Sequence, residues 1–394
     1  MRPEQELLLC CSRINKDLER VKQIKALLHQ NINWIYLTRI ADQHGVLPIV
    51  YRTLKAICPE DVPQDIMNQL RNLYLINSGR NLLLTRELFN LLDLFKNEGI
   101  TAIPYKGPAL AVLAYGNLSL RQFSDLDILI HERDGQRAKD LLISCGYRSG
   151  IQLTAAQEEA FIQSQRTYKF LRDDGRVIAD LQWGITPRYF PFLLDPECLW
   201  TRLESIYLDG KEILSFSPED LLLILCVHGL CHCWERLIWI CDVAKLIEVH
   251  QRMDWERVMK QTVTLGIERI LFLGLFLVND LLGVALPKEI LQRMQYDPIV
   301  KTLTAQVREH LFYKANHQSR ALKCGFFQLK VWKRLQDRIR YCIYRATIPT
   351  IAEWEFLFLP AFLFPFYYLL RPIRLLRMYG LNIVRYIYKG IKAK

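Results

Sequence analysis

The chain has 394 residues, 51% of them hydrophobic and 24% charged, with a net charge of +11. It can bury a sizeable core, and its length predicts two or three domains. Residues 301–394 carry 18 Lys and Arg against 4 Asp and Glu, whereas residues 1–300 carry 34 against 37. The slightly negative net charge of residues 1–300 argues against a broad RNA-binding surface in that part of the chain. The basic residues of the last quarter suit a contact with anionic lipid or with RNA.

The cysteines number 11, an odd count, and follow no regular framework. The apolar run at residues 7–11 is too short for a convincing signal peptide and follows Glu4 and Glu6. We therefore expect free thiols and a cytoplasmic location.

Residues 1–98 are predicted to form an N-terminal helical region. Apolar residues recur there at three- and four-residue spacing, and the last helix is expected to stop at Gly99. No chemistry is evident in this region, so we interpret it as a packing or covering element.

Residues 99–214 alternate between strand and helix patterns. The predicted strands are 100–105, 125–131, 168–172 and 176–183, and the predicted helices are 109–115 and 133–145. The sequence Asp173-Asp174-Gly175 predicts a hairpin between the last two strands. This mixture predicts an α/β or α+β core.

The rest of the chain is predicted to be a second helical domain, residues 215–345, followed by a tail, residues 346–394. Ser217-Pro218-Glu219-Asp220 is a typical helix start. The aromatic stretch 356–370 has no charge and, at 15 residues, is shorter than the roughly 20 needed to span a bilayer. It either packs against the helical domain or, with the basic residues after it, lies on an anionic membrane surface.

Two aspartates are the chemical centre of the sequence. Asp125 and Asp127 alternate along a short apolar strand, so their side chains leave the same face. Adjacent carboxylates repel each other unless a cation lies between them, and Mg²⁺ favours such oxygen ligands. Asp180, on a separate predicted strand, supplies a third acid, and three acids on neighbouring strands can hold two Mg²⁺ ions.

These motifs resemble the DNA polymerase β-like nucleotidyltransferase superfamily. The resemblance rests on Lys-Gly-Pro-Ala-Leu at 106–110, Leu-Arg-Gln-Phe-Ser-Asp-Leu-Asp-Ile-Leu-Ile at 120–130 and Asp-Leu-Gln-Trp at 180–183. More narrowly, the chain resembles an uncharacterised bacterial nucleotidyltransferase family related to abortive-infection toxin nucleotidyltransferases, which shares the Lys-Gly and Arg-x-x-Ser-Asp-hydrophobic-Asp features. The histidines and tryptophans of residues 228–242 also resemble that family.

The resemblance implies an α+β fold, with a polymerase-β-like core of mixed sheet and helices flanked by N-terminal and C-terminal helical regions. It implies that Asp125 and Asp127 bind metal, and that Asp180 binds the catalytic metal or acts as a base. It also implies a set of nucleotide-binding residues, with Gly107 admitting the triphosphate to a helix N-terminus. That set is Lys106, Gly107, Arg121 and Ser124.

The implied activity is Mg²⁺-dependent transfer of an NMP from an NTP to a hydroxyl, with two Mg²⁺ ions. The acceptor stays open between an RNA end, a protein side chain and a small molecule, and the sequence contains no DNA-binding motif. The superfamily usually has Gly-Ser or Gly-Gly where this chain has Gly107-Pro108, and proline offers neither a hydroxyl nor an N–H. Triphosphate binding then depends more on Lys106 and Arg121.

Two alternatives remain open. The first is a catalytically inactive protein that keeps the fold as a binding module or scaffold, also at the membrane surface, with Lys106 paired to one of the aspartates. The second concerns a cluster of cysteines and histidines, which either binds zinc, packs within the helical domain or faces the nucleotide cleft. Its members are Cys226, His228, Cys231, His232 and Cys233.

Overall fold

The computed structural model describes residues 1–14, 17–151, 153–194, 196–312, 317–357 and 359–378. Helices occupy both ends of this described chain, and all its strands fall between residues 102 and 216. The predicted α+β class is confirmed. None of the described helices is both long and apolar enough to cross a membrane.

The N-terminal region is helical, as its apolar spacing predicts. Its helices are α1 (Pro3–Ser12), α2 (Leu18–Leu28), α3 (Trp34–Gln43), α4 (Leu47–Ile57) and α5 (Gln64–Asn97). A 3₁₀ turn at Pro59–Asp61 separates the last two. α5 runs for 34 residues and ends just before Gly99, which has a φ of +69°. Gly99 therefore terminates the helix as predicted, because glycine adopts this left-handed conformation without a steric penalty.

A five-stranded mixed sheet forms the centre of the molecule. Its strands are β1 (Ala102–Pro104), β2 (Leu126–Ile130), β3 (Tyr147–Ser149), β4 (Thr167–Arg172) and β5 (Ile178–Gln182). They lie in the order β1-β2-β5-β4-β3, with β2 parallel to β5 and the other neighbours antiparallel. The predicted β4–β5 hairpin is confirmed, whereas β3 was not predicted.

Short helices and a second hairpin complete this part of the chain. They are α6 (Gly107–Tyr115), α7 (Gly135–Ser144), α8 (Ala155–Ser164), α9 (Pro196–Trp200), β6 (Leu203–Leu208) and β7 (Lys211–Phe216), with 3₁₀ turns at Leu118–Leu120 and Glu132–Asp134. Asp209 and Gly210, between β6 and β7, both have positive φ values. That conformation is typical of a two-residue hairpin turn.

The C-terminal part is again helical. Its elements are α10 (Pro218–Cys231), α11 (Leu237–Val249), α12 (Trp255–Leu265), α13 (Glu268–Leu282), α14 (Lys288–Gln295), α15 (Pro298–Leu311), α16 (His317–Val331), α17 (Leu335–Thr347), α18 (Ile351–Phe356), a 3₁₀ turn at Ala361–Phe366 and a helical stretch at 367–378. Ser217 caps α10 as predicted, since its hydroxyl accepts a hydrogen bond from the Asp220 amide at 3.3 Å.

Two hydrophobic cores hold these elements together. The first joins the N-terminal helices to the C-terminal helical domain, with Leu8 and Leu54 in the same cluster as Leu222 and Leu271. The second lies under one face of the five-stranded sheet. The predicted boundaries at residues 98, 214 and 345 stay predictions, but the first core unites residues that they assign to separate parts.

Strand alternation gives the sheet two different faces. Leu126, Ile128 and Ile130 of β2 belong to the second core, as do the odd-numbered residues of β5. Asp127 and Asp180 lie at the intervening positions and are register partners on the two neighbouring parallel strands. The sheet therefore presents its acidic residues on the face opposite that core.

The aromatic tail is divided between burial and exposure. Trp354 and Tyr367 are buried in the core of the sheet, where Trp354 makes an edge-on contact with Phe161 at 6.0 Å between ring centroids. Part of the tail therefore packs on the strand-bearing core instead of the helical domain. Other side chains are exposed, including Phe362 and Phe366. The basic residues predicted beyond Met378 lie outside the described residues.

One cysteine pair departs from the expectation of free thiols. Cys233 and Cys324 form a disulfide that connects positions 91 residues apart, and the other nine cysteines, all of them described residues, form no disulfide. The expectation is therefore wrong for this pair. Spacing along the chain could not reveal it, because the two residues meet only once α10 and α16 have packed together.

Candidate active site

The three predicted acidic residues meet at one cleft. Asp127 and Asp180 face each other across β2 and β5, and Asp125 immediately precedes β2 on the same side. Asp127 and Asp180 are 8% and 6% exposed. All three line a cleft of about 620 Å³ between the sheet, the helical domain and the C-terminal helices.

The buried carboxylates favour a cation. Burial, and next the charge of Asp127, raise the pKa of Asp180 to about 6. The same two causes raise the pKa of Asp125. These shifts mean that ionised carboxylates are unfavourable here without additional positive charge. Thr167 donates a hydrogen bond to Asp180 from the neighbouring strand.

Two lysines supply part of that charge. Lys106 Nζ donates to Asp127 Oδ1 at 2.9 Å, and Lys169 Nζ lies 3.5 Å from Asp180 and 3.8 Å from Asp125. Burial opposes the charged form of Lys106, but Asp127 outweighs it and raises the pKa of the ammonium. The predicted pairing of Lys106 with an aspartate is therefore present, and it is with Asp127.

Gln182 adds a neutral contact on the same face. Its Nε2 donates to Asp127 Oδ1 at 2.9 Å, and its carbonyl accepts a short hydrogen bond from the Tyr105 hydroxyl. Tyr105, Gln182 and Asp127 thus form a buried chain of hydrogen bonds that fixes the orientation of the Asp127 carboxylate.

The acidic residues have the right chemistry for Mg²⁺, because carboxylate oxygens are its preferred protein ligands. In this arrangement no group of three or more His, Cys, Asp or Glu among the described residues converges closely enough to hold a metal ion. That finding covers the cysteine–histidine cluster of α10, so the zinc alternative has no support. A metal ion on Asp127 Oδ1 would take the place of Lys106 Nζ.

A helix N-terminus borders the acidic residues. α6 begins at Gly107, which has a φ of +51°. A Cβ at this position would lie 3.3 Å from the backbone oxygen of Asp125, so a side chain here would be both strained and crowded. Ser124 lies at the same end of the cleft. Backbone amides at a helix N-terminus attract anions, which suits the phosphate role predicted for this end.

Arg121 lines the cleft, but its guanidinium is held from behind. Arg121 Nε and Nη2 donate to the two carboxylate oxygens of Asp242 at 2.8 and 2.9 Å, and both side chains are buried. The Tyr115 hydroxyl also donates to Asp242, at 2.8 Å. This bidentate ion pair ties the loop before β2 to α11 of the helical domain. The phosphate contact predicted for Arg121 stays a prediction.

The helical domain contributes an aromatic wall. His228, His232 and Trp239 line the cleft, with ring centroids 4.7 Å apart for the two histidines and 4.9 Å apart for His232 and Trp239. Burial lowers the pKa of His232 to about 4 and that of His228 well below its usual value. Both imidazoles are therefore neutral at pH 7, and they face the cleft, one of the alternatives left open by the sequence.

The cleft is also lined by cations that sequence reasoning did not assign to it, among them Arg166, Lys169 and Arg188. Lys169 is the register partner of Asp180, so the predicted hairpin together with strand alternation could have located it. The two arginines lie in loops beside β4 and β5, where no periodic pattern operates. A larger hollow of about 1270 Å³ shares Arg236 with this cleft but contains none of the three aspartates.

The mixed sheet, the neighbouring carboxylates and the glycine-led helix together define a protein of the nucleotidyltransferase class. Residues 30–283, more than half of the chain, match the sequence profile of a family described as uncharacterised nucleotidyltransferase. The chain belongs to this family, which confirms the predicted relationship. No curated protein matches the chain significantly.

Two solved structures show limited similarity. One is the lincosamide antibiotic adenylyltransferase LnuA in its lincomycin-bound form, with 17% identity, coverage of 42% of this chain and 96% of that chain, and a TM-score of 0.30. The other is an antigenic nucleotidyltransferase-like protein from Paracoccidioides brasiliensis, with 17% identity, coverage of 47% and 87%, and a TM-score of 0.28. At these TM-scores neither superposition bears on mechanism or substrate.

Proposed function

We propose that the protein transfers an NMP from an NTP to a hydroxyl of an acceptor molecule in an Mg²⁺-dependent reaction that releases pyrophosphate. The observation that carries the proposal is the placement of Asp127 and Asp180 on neighbouring parallel strands, with Asp125 beside them, in a cleft that ends at the N-terminus of α6. Family membership supports nucleotidyl transfer in general.

In this proposal Asp125, Asp127 and Asp180 hold two Mg²⁺ ions. When bound, the metals would lower the pKa of the acceptor hydroxyl and neutralise the triphosphate and the leaving pyrophosphate. The acceptor oxygen bonds to the α-phosphorus as the bond to the bridging oxygen of pyrophosphate breaks. In this proposal Asp180 either binds the catalytic metal or takes the acceptor proton as a base.

Lys106, Gly107, Ser124 and Arg121 are the proposed nucleotide-binding residues. Gly107 allows the phosphates to approach the start of α6 closely. Lys106, displaced from Asp127 when metal binds, would turn to a phosphate oxygen. Arg121, held by Asp242, would add positive charge at the wall of the cleft.

The test uses the purified chain, Mg²⁺, α-labelled NTPs and a cell lysate as the source of acceptor. Labelled adducts are expected with the wild type and with Asp173→Asn, a matched change at an exposed hairpin residue. Asp125→Ala should reduce labelling by roughly 10²-fold or more, because metal placement supplies most of the catalysis. Equal labelling by wild type and Asp125→Ala would refute the proposal. Mass spectrometry of the adducts would identify the acceptor and the NTP.

The Lys106–Asp127 ion pair favours the inactive alternative, since it neutralises a carboxylate that catalysis needs for metal. That alternative predicts tight NTP binding without release of pyrophosphate. Calorimetry and a pyrophosphate assay on the same sample distinguish the two functions, because only the active enzyme produces both signals.

We also propose that the protein is cytoplasmic and contacts an anionic membrane surface through the segment 361–378, which comprises a 3₁₀ turn and the helical stretch after it. Five large apolar side chains of this segment are exposed at three- and four-residue spacing: Phe362, Phe366, Leu369, Ile373 and Leu376. Arg371 and Arg374 bond to the buried Glu353 and hold the helix in place.

Substituting serine for Phe366, Leu369 and Ile373 should abolish flotation with liposomes that contain phosphatidylserine. Substitution is preferable to a truncation after residue 350, because the truncation would remove the buried Trp354 and Tyr367. Unchanged flotation would refute the proposal.

A further inference from the structure

A pair of arginines lies on the side of the acidic residues opposite α6. Arg166 immediately precedes β4, and Arg188 lies in the loop after β5. Both line the cleft together with Lys169 of β4. β4 is separated from β2 by β5, whereas the start of α6 contacts the backbone of Asp125 beside β2. The arginines and the helix N-terminus therefore occupy different ends of the cleft.

Arg166 is half-buried and forms no ion pair with a carboxylate in the described part of the chain, although the charge of Glu132 partly offsets the effects that lower its pKa. Its Nη1 donates to the backbone oxygen of Thr186 at 2.7 Å. Burial, and next the positive charge of Arg188, lower its pKa to about 10. Two guanidinium groups that repel each other in a partly buried site create a demand for an anion.

The surroundings of Arg166 keep its position fixed. Gly184, just after β5, lies directly beneath the side chain: a Cβ at Gly184 would be 2.5 Å from Arg166 Cδ. A residue larger than glycine would therefore push the guanidinium away. Arg188 donates from Nε to the backbone oxygen of Gln165 at 3.4 Å, and its Nη2 lies 3.5 Å from the exposed Glu132. That long contact with a solvated carboxylate leaves the arginine pair positively charged overall.

Reaction geometry assigns this end of the cleft to the acceptor, an inference that rests on the proposed function. In phosphoryl transfer the attacking and leaving oxygens lie roughly in line on opposite sides of the phosphorus. If the pyrophosphate leaves toward Lys106 and Gly107, the acceptor hydroxyl approaches from the β4 side. Arg166, Lys169 and Arg188 are cationic residues of the cleft lining on or beside β4 and β5.

We propose that Arg166 and Arg188 bind a phosphate group of the acceptor, so that the acceptor is a phosphorylated molecule whose hydroxyl is presented to the carboxylates. Guanidinium groups match phosphate oxygens in pairs and keep their charge at any physiological pH. The phosphate belongs either to a small phosphorylated alcohol or to the end of a nucleic acid. The attack transfers the NMP to the neighbouring hydroxyl and leaves this phosphate unchanged.

The first test is a titration of inorganic phosphate into full-length protein saturated with Mg²⁺ and a non-hydrolysable NTP analogue, followed by calorimetry. The wild type is expected to bind one phosphate, and the Arg166→Met/Arg188→Met variant to bind it at least about tenfold more weakly, because two charge-assisted contacts are lost. Gly184→Ala should weaken phosphate binding as well, although both charges remain. Arg176→Met, a change at an exposed arginine of the β4–β5 hairpin, should have no effect.

The affinity for the NTP analogue is the internal control. It should be the same in the wild type and the double variant, since the triphosphate lies at the other end of the cleft. The inference is overturned if the double variant binds phosphate as tightly as the wild type, if the wild type binds none, or if the double variant loses affinity for the analogue instead. If the wild type fails to bind the analogue, the proposed function fails, and the same titration of the free protein tests the arginine pair alone.

Competition then identifies the source of the phosphate. Displacement of inorganic phosphate by glycerol 3-phosphate assigns a small phosphorylated alcohol. If a short single-stranded RNA displaces inorganic phosphate at a lower concentration than glycerol 3-phosphate does, the phosphate is assigned to the end of a nucleic acid.

Discussion

Replacing Asp180 with asparagine should stabilise the metal-free protein and abolish its activity. Burial and the neighbouring Asp127 raise the pKa of Asp180 from 3.8 to about 6. A shift of about two pKa units, at ~1.36 kcal/mol per unit, means that the ionised side chain lowers the free energy of unfolding by about 3 kcal/mol. Asparagine keeps the shape and can still accept the hydrogen bond from Thr167.

The pH dependence gives this prediction its sign. Between about pH 4 and pH 6 the folded protein retains a proton that the unfolded chain releases, so wild-type stability falls as the pH rises through this window. The Asp180→Asn variant does not lose stability in this window, because asparagine does not titrate. The gap in unfolding free energy between variant and wild type should therefore be close to zero near pH 4 and reach about 2–3 kcal/mol above pH 6.

Urea titrations in EDTA across this pH range measure the gap, with Asp173→Asn as the exposed control. Added Mg²⁺ should stabilise the wild type more than the variant, because ligands stabilise the state that binds them. A gap that stays constant with pH, or a wild type that is more stable than Asp180→Asn near pH 8, would refute the electrostatic reasoning.

Three further outcomes are expected. Arg121→Met should lower the free energy of unfolding by about 3–5 kcal/mol because it leaves Asp242 buried and unpaired. Arg121→Lys should recover little of this stability, because lysine lacks the bidentate geometry. Denaturant titration measures both losses, and a loss of less than about 1 kcal/mol in Arg121→Met would contradict the buried pairing. Gly107→Ala should lower the free energy of unfolding by about 1–3 kcal/mol, because residue 107 has a positive φ. It should also weaken the binding of an NTP analogue, measured by calorimetry. An unchanged affinity would contradict the proposed close approach of phosphate to α6. Reduction of the Cys233–Cys324 disulfide should lower stability by about 2–4 kcal/mol, since it closes a long loop, and a melting temperature unaffected by dithiothreitol would show that the bond contributes nothing.

The acidic face of the sheet could be predicted because it depends on local rules. Strand alternation places Asp125 and Asp127 together, and the Asp-Asp-Gly turn places Asp180 on an adjoining hairpin. The Asp-Gly turn at residues 209–210 likewise predicts a hairpin, between β6 and β7, and was overlooked. Its hairpin was therefore predictable in principle.

The other walls of the cleft could not be predicted, because they depend on residues distant in sequence. Arg121 and Asp242 are 121 positions apart, and nothing local to either residue specifies the other. The same holds for Arg166 and Arg188, whose position follows from loop packing and from the absence of a side chain at Gly184. The sequence thus predicts the acidic residues of the cleft far better than its arginines.

The core shared by the two ends of the chain has a consequence for synthesis on the ribosome. Helix α1 contacts α13, buried residues of α1 and α4 share one core with residues of α10 and α13, and the Ile14 amide donates to the backbone oxygen of Leu282 at 3.3 Å. Helices α1 to α4 are synthesised before these partners, so their apolar surface stays uncovered until residues 218–282 have been translated. The buried residues of the second core come from α5, the strand-bearing region and the tail (Trp354 and Tyr367) and include none from α1–α4 or α10–α17, so most of this core can form earlier. During synthesis, chaperone binding and aggregation are therefore expected mainly at the segment α1–α4.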